Sequence, residues 1–315
     1  MHVSPGVSII IPAYNYGQFV GLAIESVLAQ KYPYFELIVV DDGSTDDTGK
    51  VIAGFTDPRV CYIRQENAGL SAARNTGIRN ARFPFVAFLD ADDEWLPDFL
   101  ETVMRTFEKI GDDFALVASG SDRVNAIGNP LTKKNFTSIY DFELTARDII
   151  VRTRFMPSAV VVRRTIFDEC GFFDTTLRSS EDRDMWIRIA VRSRVFFVCK
   201  ILVRIRKHDT NMSRNAERMK RSMRRVIAKA FRARVVPAWD FPFWLRVLAV
   251  HFFQIAWTHY DEGRRLDAIR YVLTSMLLWP LFVRQRKLNE PWFFRARALA
   301  RFVLRKSGTA CAVSS

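Results

Sequence analysis

The chain has 315 residues, 49% of them hydrophobic and 26% charged, which is typical of a folded globular protein and excludes a disordered one. Its length suits one large domain or two of ordinary size. The net charge of +13 is uneven: residues 1–215 contain 27 Lys and Arg against 28 Asp and Glu, whereas residues 216–315 contain 20 against 6. We therefore predict a boundary near residue 215, followed by a strongly basic region.

Cysteine spacing and hydropathy exclude two further classes of protein. The four cysteines are widely separated and none belongs to a Cys-x-x-Cys pair, so neither a disulfide framework nor a zinc site is expected. No signal-peptide pattern precedes the first strand-like run, which begins at residue 7. The apolar stretches of the basic region are shorter than the ~18 residues that cross a bilayer. We expect a cytoplasmic protein, soluble or peripheral at the inner face of the cell membrane.

Short β-rich runs alternate with helical patterns over the first 125 residues. Strands are predicted at 7–11, 35–40, 60–63, 85–89 and 114–120. Strands separated by helices of this length indicate βαβ units, and right-handed crossovers place helices on both faces of the sheet. The predicted fold class is therefore α/β, with a mostly parallel central sheet flanked by helices.

The alternation is looser over residues 126–215. The run at 158–162 favours a strand, the pattern at 179–193 favours a helix, and 196–208 fits either a strand pair or one long strand. These elements extend the first part of the chain and do not suggest a separate domain.

The C-terminal region, residues 216–315, is predicted to be helical, basic and rich in aromatic residues, with a helical hairpin at 245–282. Three interpretations stay open for it. It lies on an anionic membrane surface, where Arg meets lipid phosphates and Trp enters the interface. Alternatively, it packs on residues 1–215 with its Arg exposed. Nucleic-acid binding is the weakest of the three, because no reading motif is present, and we expect no nucleic-acid partner.

Polar and acidic residues follow three of the predicted strands. In a parallel sheet, ligands bind beyond the carboxyl ends of the strands, and the segments 12–15, 41–44 and 90–93 fall there. Asp90 and Asp92 form an Asp-x-Asp pair, which can hold a hard divalent cation, Mg²⁺ or Mn²⁺, and leave its other positions open for phosphate oxygens. Such a cation neutralises the charge that builds on a departing diphosphate.

Six segments follow one another in a specific order: VSIIIPAYN, SVLAQKYPYFELIVVDDGSTDDT, DPRV, ENAGLSAARNTGI, FVAFLDADDEWLPD and SSEDRDMWIR. In these segments the chain resembles the family 2 glycosyltransferases, which are inverting enzymes with an A-type, nucleotide-sugar-binding fold. The resemblance is close over residues 7–125, the nucleotide-binding half, and looser over 126–215, the acceptor-side half. It implies transfer of a sugar of the hexosyl type from a nucleoside-diphosphate sugar, most simply UDP-linked, to a glycan or lipid-linked acceptor in cell-surface polysaccharide synthesis.

The resemblance also implies roles for individual residues. Asp182 matches the general base, with Glu181 beside it. Asp92 and Asp90 match the metal ligands, and His208 falls where the family often has a histidine near the phosphates. The residues matched to donor-nucleotide binding are Pro12, Ala13, Tyr14, Asp41, Asp42, Ser44, Asn67, Gly69, Arg74, Asp90 and Ala91.

The base assignment also has a physical basis. A carboxylate within hydrogen-bond reach can remove the proton of a sugar hydroxyl as that oxygen attacks the anomeric carbon. Glu181 next to Asp182 disfavours a second negative charge, which raises the affinity of the pair for a proton. Attack opposite the leaving nucleotide inverts the anomeric centre in one step.

Other interpretations remain at this point. Asp41 and Asp42 could cap the helix that follows them, and Glu181 and Asp182 could favour a helix N-terminus only through its dipole. A metal-dependent nucleotidyl or phosphoryl transferase also clusters Asp at strand ends. A membrane scaffold that binds nucleotide without turnover is the non-enzymatic alternative.

Overall fold

The computed structural model describes residues 5–131, 140–208, 216–280, 284–285, 288–289 and 293–304. The chain divides into two compact units, one formed by residues 1–149 and 153–209, the other by 150–152 and 210–315. Residue 215, near which the boundary was predicted, and Cys311 lie outside the described residues.

The first unit is built on a nine-stranded sheet formed by described residues. Its strands are β1 (Val7–Ala13), β2 (Phe35–Asp41), β3 (Val60–Arg64), β4 (Phe85–Phe88), β5 (Glu94–Trp95), β6 (Phe114–Asn125), β7 (Phe142–Leu144), β8 (Val160–Arg163) and β9 (Arg194–Lys207). The helices that alternate with them are α1 (Val20–Leu28), α2 (Thr48–Ala53), α3 (Leu70–Asn80), α4 (Phe99–Ile110), α5 (Ala146–Val151), α6 (Ile166–Cys170) and α7 (Glu181–Arg192).

The strand order is β3-β2-β1-β4-β8-β6-β9-β5, with β7 on the side of β9. Strands β3, β2, β1 and β4 are mutually parallel, and β6 is parallel to β9. Strand β8 runs antiparallel between β4 and β6. Every residue of β1 and β2 is buried, as expected for parallel strands covered on both faces. The predicted α/β fold with a mostly parallel sheet is confirmed, and the antiparallel β8 makes the sheet mixed.

One predicted alternative is confirmed, and one strand was not predicted. The segment that fitted either a strand pair or one long strand is one long strand, β9, whose pairing with β6 shifts register near Gly120. The two residues of β5 pair antiparallel with β9, opposite Arg204 and Val203. A strand of two residues leaves no alternation in the sequence, so only the long-range pairing reveals it.

Helix α3 lies unusually close to the sheet because Gly77 faces strand β1. A Cβ atom at this position would lie 2.4 Å from Cγ2 of Ile10, which is itself fully buried. The close approach sets the depth of α3, and Arg74 stands one turn earlier on the same helix. Gly77 thereby helps to place the Arg74 side chain at the edge of the sheet.

The second unit is helical, as predicted. It contains α8 (Ala216–Arg232), α9 (Phe241–Asp261), α10 (Arg265–Leu278) and α11 (Phe294–Leu304), together with the short strands β10 (Arg284–Gln285) and β11 (Leu288–Asn289). Helices α9 and α10 form the predicted hairpin, which turns at Gly263 with φ of 78°. The core of the second unit includes Phe253 of α9, Val272 of α10 and Phe302 of α11. None of the helices in the described part of the chain combines the length and apolarity needed to cross a bilayer.

We predict that Gly77→Ala destabilises the protein by about 1–3 kcal/mol, because the added methyl group overpacks a site whose neighbour cannot move away. Gly21→Ala is the matched control. Gly21 is also helical, but a Cβ there would meet its nearest neighbour at an ordinary 3.5 Å, so the change should stabilise the protein by up to about 1 kcal/mol. Urea unfolding of both variants measures the difference. Equal stabilities would contradict the close packing of α3 on β1.

Candidate active site

The residues that end strands β1 and β4 are mostly buried, with one exposed ring among them. Pro12, Ala13 and Ala91 are buried. The Tyr14 side chain, at the end of β1, is 45% exposed. Of the four, only Tyr14 therefore presents a ring to a molecule that arrives from solvent.

The loops after β1 and β2 are joined by side-chain hydrogen bonds. Asn15 adopts a left-handed conformation, with φ of 56°, and its N–H donates to Oγ of Ser44 over 3.0 Å. The N–H of Thr45 donates back to Oδ1 of Asn15 over 2.8 Å. The N–H of Tyr16 donates to Oγ1 of Thr48 over 2.8 Å. The two predicted strand-end segments thus form one connected surface.

The Asp42 carboxylate holds the loop that leads into α3. It accepts hydrogen bonds from Nε2 of Gln65 (2.6 Å) and from the N–H groups of Ala68 (3.0 Å) and Gly69 (2.8 Å). Asp42 therefore stabilises the start of α3, not the start of the helix that follows it in sequence. Gly69, the residue before α3, has φ of 92°, and Asn67 is exposed at the rim.

Asp41 points to the neighbouring strand. One of its oxygens accepts the N–H of Ser44 over 2.8 Å, and the other accepts the hydroxyl of Tyr62 over 2.9 Å. The guanidinium of Arg64 lies 3.4 Å from the second oxygen. The Asp41 side chain is fully buried, so its visible role is to fix the turn between β2 and α2.

The acids that follow β4 receive hydrogen-bonding partners from distant parts of the chain. Oδ1 of Asp90 lies 2.6 Å from Nη2 of Arg74, and Oδ2 of Asp92 lies 2.9 Å from Nε2 of His208. Burial and the neighbouring Asp90 carboxylate raise the pKa of Asp92, and His208 opposes that rise. Crowded carboxylates are thus compensated by side chains from α3 and from the end of β9.

The next two acids are structural. Asp93 is buried and accepts hydrogen bonds from the hydroxyl of Ser158 and the N–H of Arg206. Burial, together with Asp92, raises the pKa of Asp93 well above its ordinary value. Glu94 forms an ion pair with the Arg206 guanidinium.

Arg206 is a site residue that sequence reasoning missed. It is only 2% exposed, and its guanidinium also donates to the carbonyl oxygens of Asp92 (3.2 Å) and Ala126 (2.7 Å). Clustered acids do require facing positive charge. However, the cluster and Arg206 are more than 100 residues apart, so no local signal identifies the partner.

Arg74 joins the acidic edge of the sheet to the start of α7. It is 1% exposed, and its Nη1 lies 2.7 Å from Oε1 of Glu181 while its Nη2 contacts Asp90. The two carboxylates raise the pKa of Arg74 against the effect of burial. The guanidinium also lies 5.5 Å from the centroid of the Phe173 ring. The buried Arg74 guanidinium therefore pairs with two carboxylates, one after β4 and one at the start of α7.

Asn75, next to Arg74, fixes the segment before α7. Its side chain donates to the carbonyl of Phe173 and accepts the N–H of the same residue, both over 2.9 Å. The Phe173 ring packs edge-on against Phe88 of β4 (5.4 Å) and Trp186 of α7 (6.0 Å). These contacts place the first turn of α7 beside the end of β4.

Asp182 lies half-buried in that first turn. Burial, with the Glu181 carboxylate beside it, raises the pKa of Asp182 to about 6, although Arg74 opposes the rise. Asp90 also contributes to this rise, so the two carboxylates lie within electrostatic reach of each other. Ser180, immediately before the helix, has φ of 59°, a strained conformation for a residue with a side chain.

Asp90, Asp92 and His208 are suitable ligands for a divalent cation. Within the described ranges, no group of three or more His, Cys, Asp or Glu side chains forms a complete metal-binding group. Mg²⁺ and similar ions are commonly held by one or two carboxylates and completed by substrate phosphates. A cation would also relieve the repulsion that raises the pKa of Asp92. The Asp90 and Asp92 carboxylates therefore have the chemistry that such an ion takes, although the described residues do not gather His208 with them as a complete ligand group.

We predict that Arg74→Met destabilises the protein by about 3–5 kcal/mol, because it leaves the Asp90 and Glu181 carboxylates without their buried partner. Arg79→Met on the same helix is the control. Arg79 is exposed and lies over the Phe172 ring at 5.0 Å, so its loss should change stability by less than about 0.5 kcal/mol. Thermal and urea unfolding test both variants. Similar stabilities for the two would contradict the bridging role of Arg74.

Comparisons with known proteins agree with this geometry. Residues 8–171 match the family described as Glycosyl transferase family 2. An uncharacterized glycosyltransferase of Rickettsia typhi is 30% identical over 215 residues, which cover 68% of this chain and 67% of the relative. The putative colanic acid biosynthesis glycosyl transferase WcaA of Escherichia coli is 30% identical over 194 residues, covering 61% of this chain and 68% of WcaA.

Solved structures show the same fold. The structure of S. aureus TarS 1–349 in complex with UDP-GlcNAc matches with a TM-score of 0.57 at 16% identity, and the match covers 95% of this chain and 91% of the TarS 1–349 chain. The mannosyltransferase PcManGT of Pyrobaculum calidifontis, in complex with GDP-Man and Mn²⁺, has a TM-score of 0.62 at 18% identity and covers 96% and 88%. The chain therefore belongs to glycosyl transferase family 2 and adopts the A-type glycosyltransferase fold.

Proposed function

We propose that this chain is an inverting, metal-dependent glycosyltransferase. It takes a sugar of the hexosyl type from a nucleoside-diphosphate sugar, UDP-linked by the family resemblance, and transfers it to a hydroxyl of a glycan or lipid-linked acceptor. The observation that carries this proposal is the buried Arg74 bridge, which joins Asp90 on the donor side to Glu181 beside Asp182. One cation thereby holds a donor-side carboxylate beside the helix turn that carries the base, which suits a single-step transfer.

Similar proteins support the substrate class. The TarS structure contains UDP-GlcNAc and the PcManGT structure contains GDP-Man, so nucleotide sugars bind to this fold. WcaA is named for colanic acid biosynthesis, which favours an acceptor in cell-surface polysaccharide assembly. We propose that residues 1–215 form the catalytic domain, with its nucleotide-binding half at 1–125 and its acceptor-side half at 126–215.

The donor nucleotide would lie along the strand ends. The exposed Tyr14 ring offers a surface for the base, and Asp42 offers an acceptor for a base N–H while it holds the loop before α3. The loop of Asn67 and Gly69 would flank the phosphates at the start of α3, where backbone N–H groups favour anionic oxygens. A divalent cation held by Asp92 and Asp90, with His208 beside them, would neutralise charge on the diphosphate when bound.

Asp182 would act as the general base. Its carboxylate takes the proton of the acceptor hydroxyl as that oxygen forms its bond to the anomeric carbon. The bond from that carbon to the diphosphate oxygen breaks on the opposite face, so the configuration inverts and a nucleoside diphosphate leaves. A carboxyl group with a pKa of about 6 is ionised at neutral pH yet more basic than an ordinary aspartate. Glu181, paired with Arg74, would position the helix turn that carries Asp182.

Substitution of the base provides the direct test. We predict that Asp182→Asn lowers sugar transfer by about 100-fold or more, the usual contribution of a general base, while UDP binding persists. Asp168→Asn, at an exposed carboxylate on α6, is the control and should retain activity. The assay incubates sugar nucleotides and acceptor sugars with Mn²⁺ or Mg²⁺ and identifies the released nucleotide.

The assay also distinguishes sugar transfer from the two alternative functions, nucleotidyl transfer and nucleotide binding without turnover. Release of UDP supports sugar transfer, whereas release of pyrophosphate identifies a nucleotidyl transferase. Undiminished cellular function of the Asp182→Asn variant would indicate a nucleotide-binding scaffold without turnover. Thermal stabilisation by each sugar nucleotide, with and without Mn²⁺, identifies the donor before the assay is run.

The pH dependence follows from the same residue. Because the base must be deprotonated, kcat/KM should be constant above a pH of about 6 and fall about tenfold per pH unit below it. Initial rates between about pH 5 and pH 8, with saturating metal and with UDP affinity measured at each pH, test this. A rate that stays constant down to about pH 5 would contradict the assignment of Asp182.

A further inference from the structure

The second unit exposes a strongly basic surface. Residues 218–246 contain nine Lys and Arg and a single acid, Asp240. On α8, Arg221, Arg224 and Arg232 are exposed, and their spacing places them on one face of the helix. Arg234, just after the helix, is also exposed. The opposite face of α8 is buried through Met223 and other small or apolar residues.

Exposed aromatic side chains occur in the same stretch of sequence as Arg232 and Arg234. Trp239 is 84% exposed, Phe241 is 66% exposed, and Phe231 at the end of α8 is 44% exposed. Single exposed apolar residues are common, but large aromatic rings grouped near one another mark an interaction surface. We call the set formed by Arg221, Arg224, Phe231, Arg232, Arg234, Trp239 and Phe241 the basic aromatic face.

The exposed rings are held in place by buried neighbours. Val236 and Phe243 are buried on either side of Trp239 and Phe241. Nε1 of Trp244 donates to the carbonyl of Pro237 over 3.2 Å, and the Trp244 ring packs on Phe231 at 5.1 Å. The loop between α8 and α9 is therefore anchored, and its exposed rings are part of a defined surface.

Asp240 is the only acid of residues 218–246. Its side chain accepts the N–H of Phe243 and caps α9, where a negative charge is favourable. The basic aromatic face therefore combines anchored aromatic rings with solvent-exposed arginines.

We propose that the basic aromatic face docks on the surface of an anionic phospholipid bilayer. Arg side chains meet lipid phosphates, while Trp and Phe rings enter the interfacial layer between headgroups and acyl chains. Charge complementarity favours this partner, because an anionic leaflet attracts clustered Arg and the adjacent rings gain from leaving water. The proposal is independent of the transfer reaction, since it concerns only residues of the second unit.

Vesicle flotation with the full chain tests the proposal. We expect binding to phosphatidylcholine vesicles that contain about 30 mol% phosphatidylglycerol, and little binding to pure phosphatidylcholine. Salt at about 0.5 M should release the protein, because it screens the attraction.

Trp239→Ser with Phe241→Ser should lower the partition coefficient by about tenfold or more, because two rings no longer enter the interface. The combined Arg221→Gln, Arg224→Gln, Arg232→Gln and Arg234→Gln variant should lower it by about 100-fold or more.

Matched variants distinguish binding through the basic aromatic face from an effect of net charge alone. The combined Arg79→Gln, Arg105→Gln, Arg123→Gln and Arg164→Gln variant removes the same charge from exposed positions of the first unit, and Tyr34→Ser removes an exposed ring there. Both should bind anionic vesicles much as the unchanged chain does, and circular dichroism verifies that every variant is folded. Absence of vesicle binding would overturn the proposal, as would equal losses from the two charge variants. Self-association through the same face, lost on Trp239→Ser and Phe241→Ser without vesicle binding, would also overturn it.

Discussion

The buried Arg74 guanidinium is the interaction on which the candidate site depends. It contacts Asp90 and Glu181 at 2.6 and 2.7 Å, so one cation faces two carboxylates away from bulk water. A buried charge is costly unless it is paired and hydrogen-bonded, and here each partner lies on a different element. The end of β4 and the start of α7 are thereby held together, although 91 positions separate the two acids in the chain.

The acidic edge of the sheet distributes its charges between binding and structure. Asp93 and Glu94 are held by Ser158 and Arg206, so they support the turn after β4. Asp90 and Asp92 also have protein partners, but they keep the hard oxygen donors that a divalent cation requires. Under the proposed function, the stretch LDADDEW would face two kinds of positive charge, namely the Arg74 and Arg206 guanidinium groups and a bound divalent cation.

Much of the fold was predictable from the sequence, because continuous apolar runs in β1 and β2 identify buried parallel strands. The placement of acids at strand ends followed from the same pattern, and it located Asp90 and Asp92 at one edge. Other features depend on long-range contacts that leave no local signal. Strand β5 has two residues, and Arg206 reaches the acids from β9. The orientation of the Asp41 side chain could not be predicted from the sequence either, because only the tertiary structure shows that the Tyr62 hydroxyl donates a hydrogen bond to it.

Arg74 sets the electrostatic environment of Asp182, the proposed base, since its charge opposes the rise in the pKa of Asp182. The most direct measurement is an NMR titration of the Asp182 carboxyl carbon in the unchanged chain and in a folded Arg74→Met variant. The account predicts a pKa of about 6 in the unchanged chain and a clearly higher pKa in the variant, because Glu181 and Asp90 lose their compensating charge. An Asp182 pKa that is unchanged or lower in the variant would contradict it.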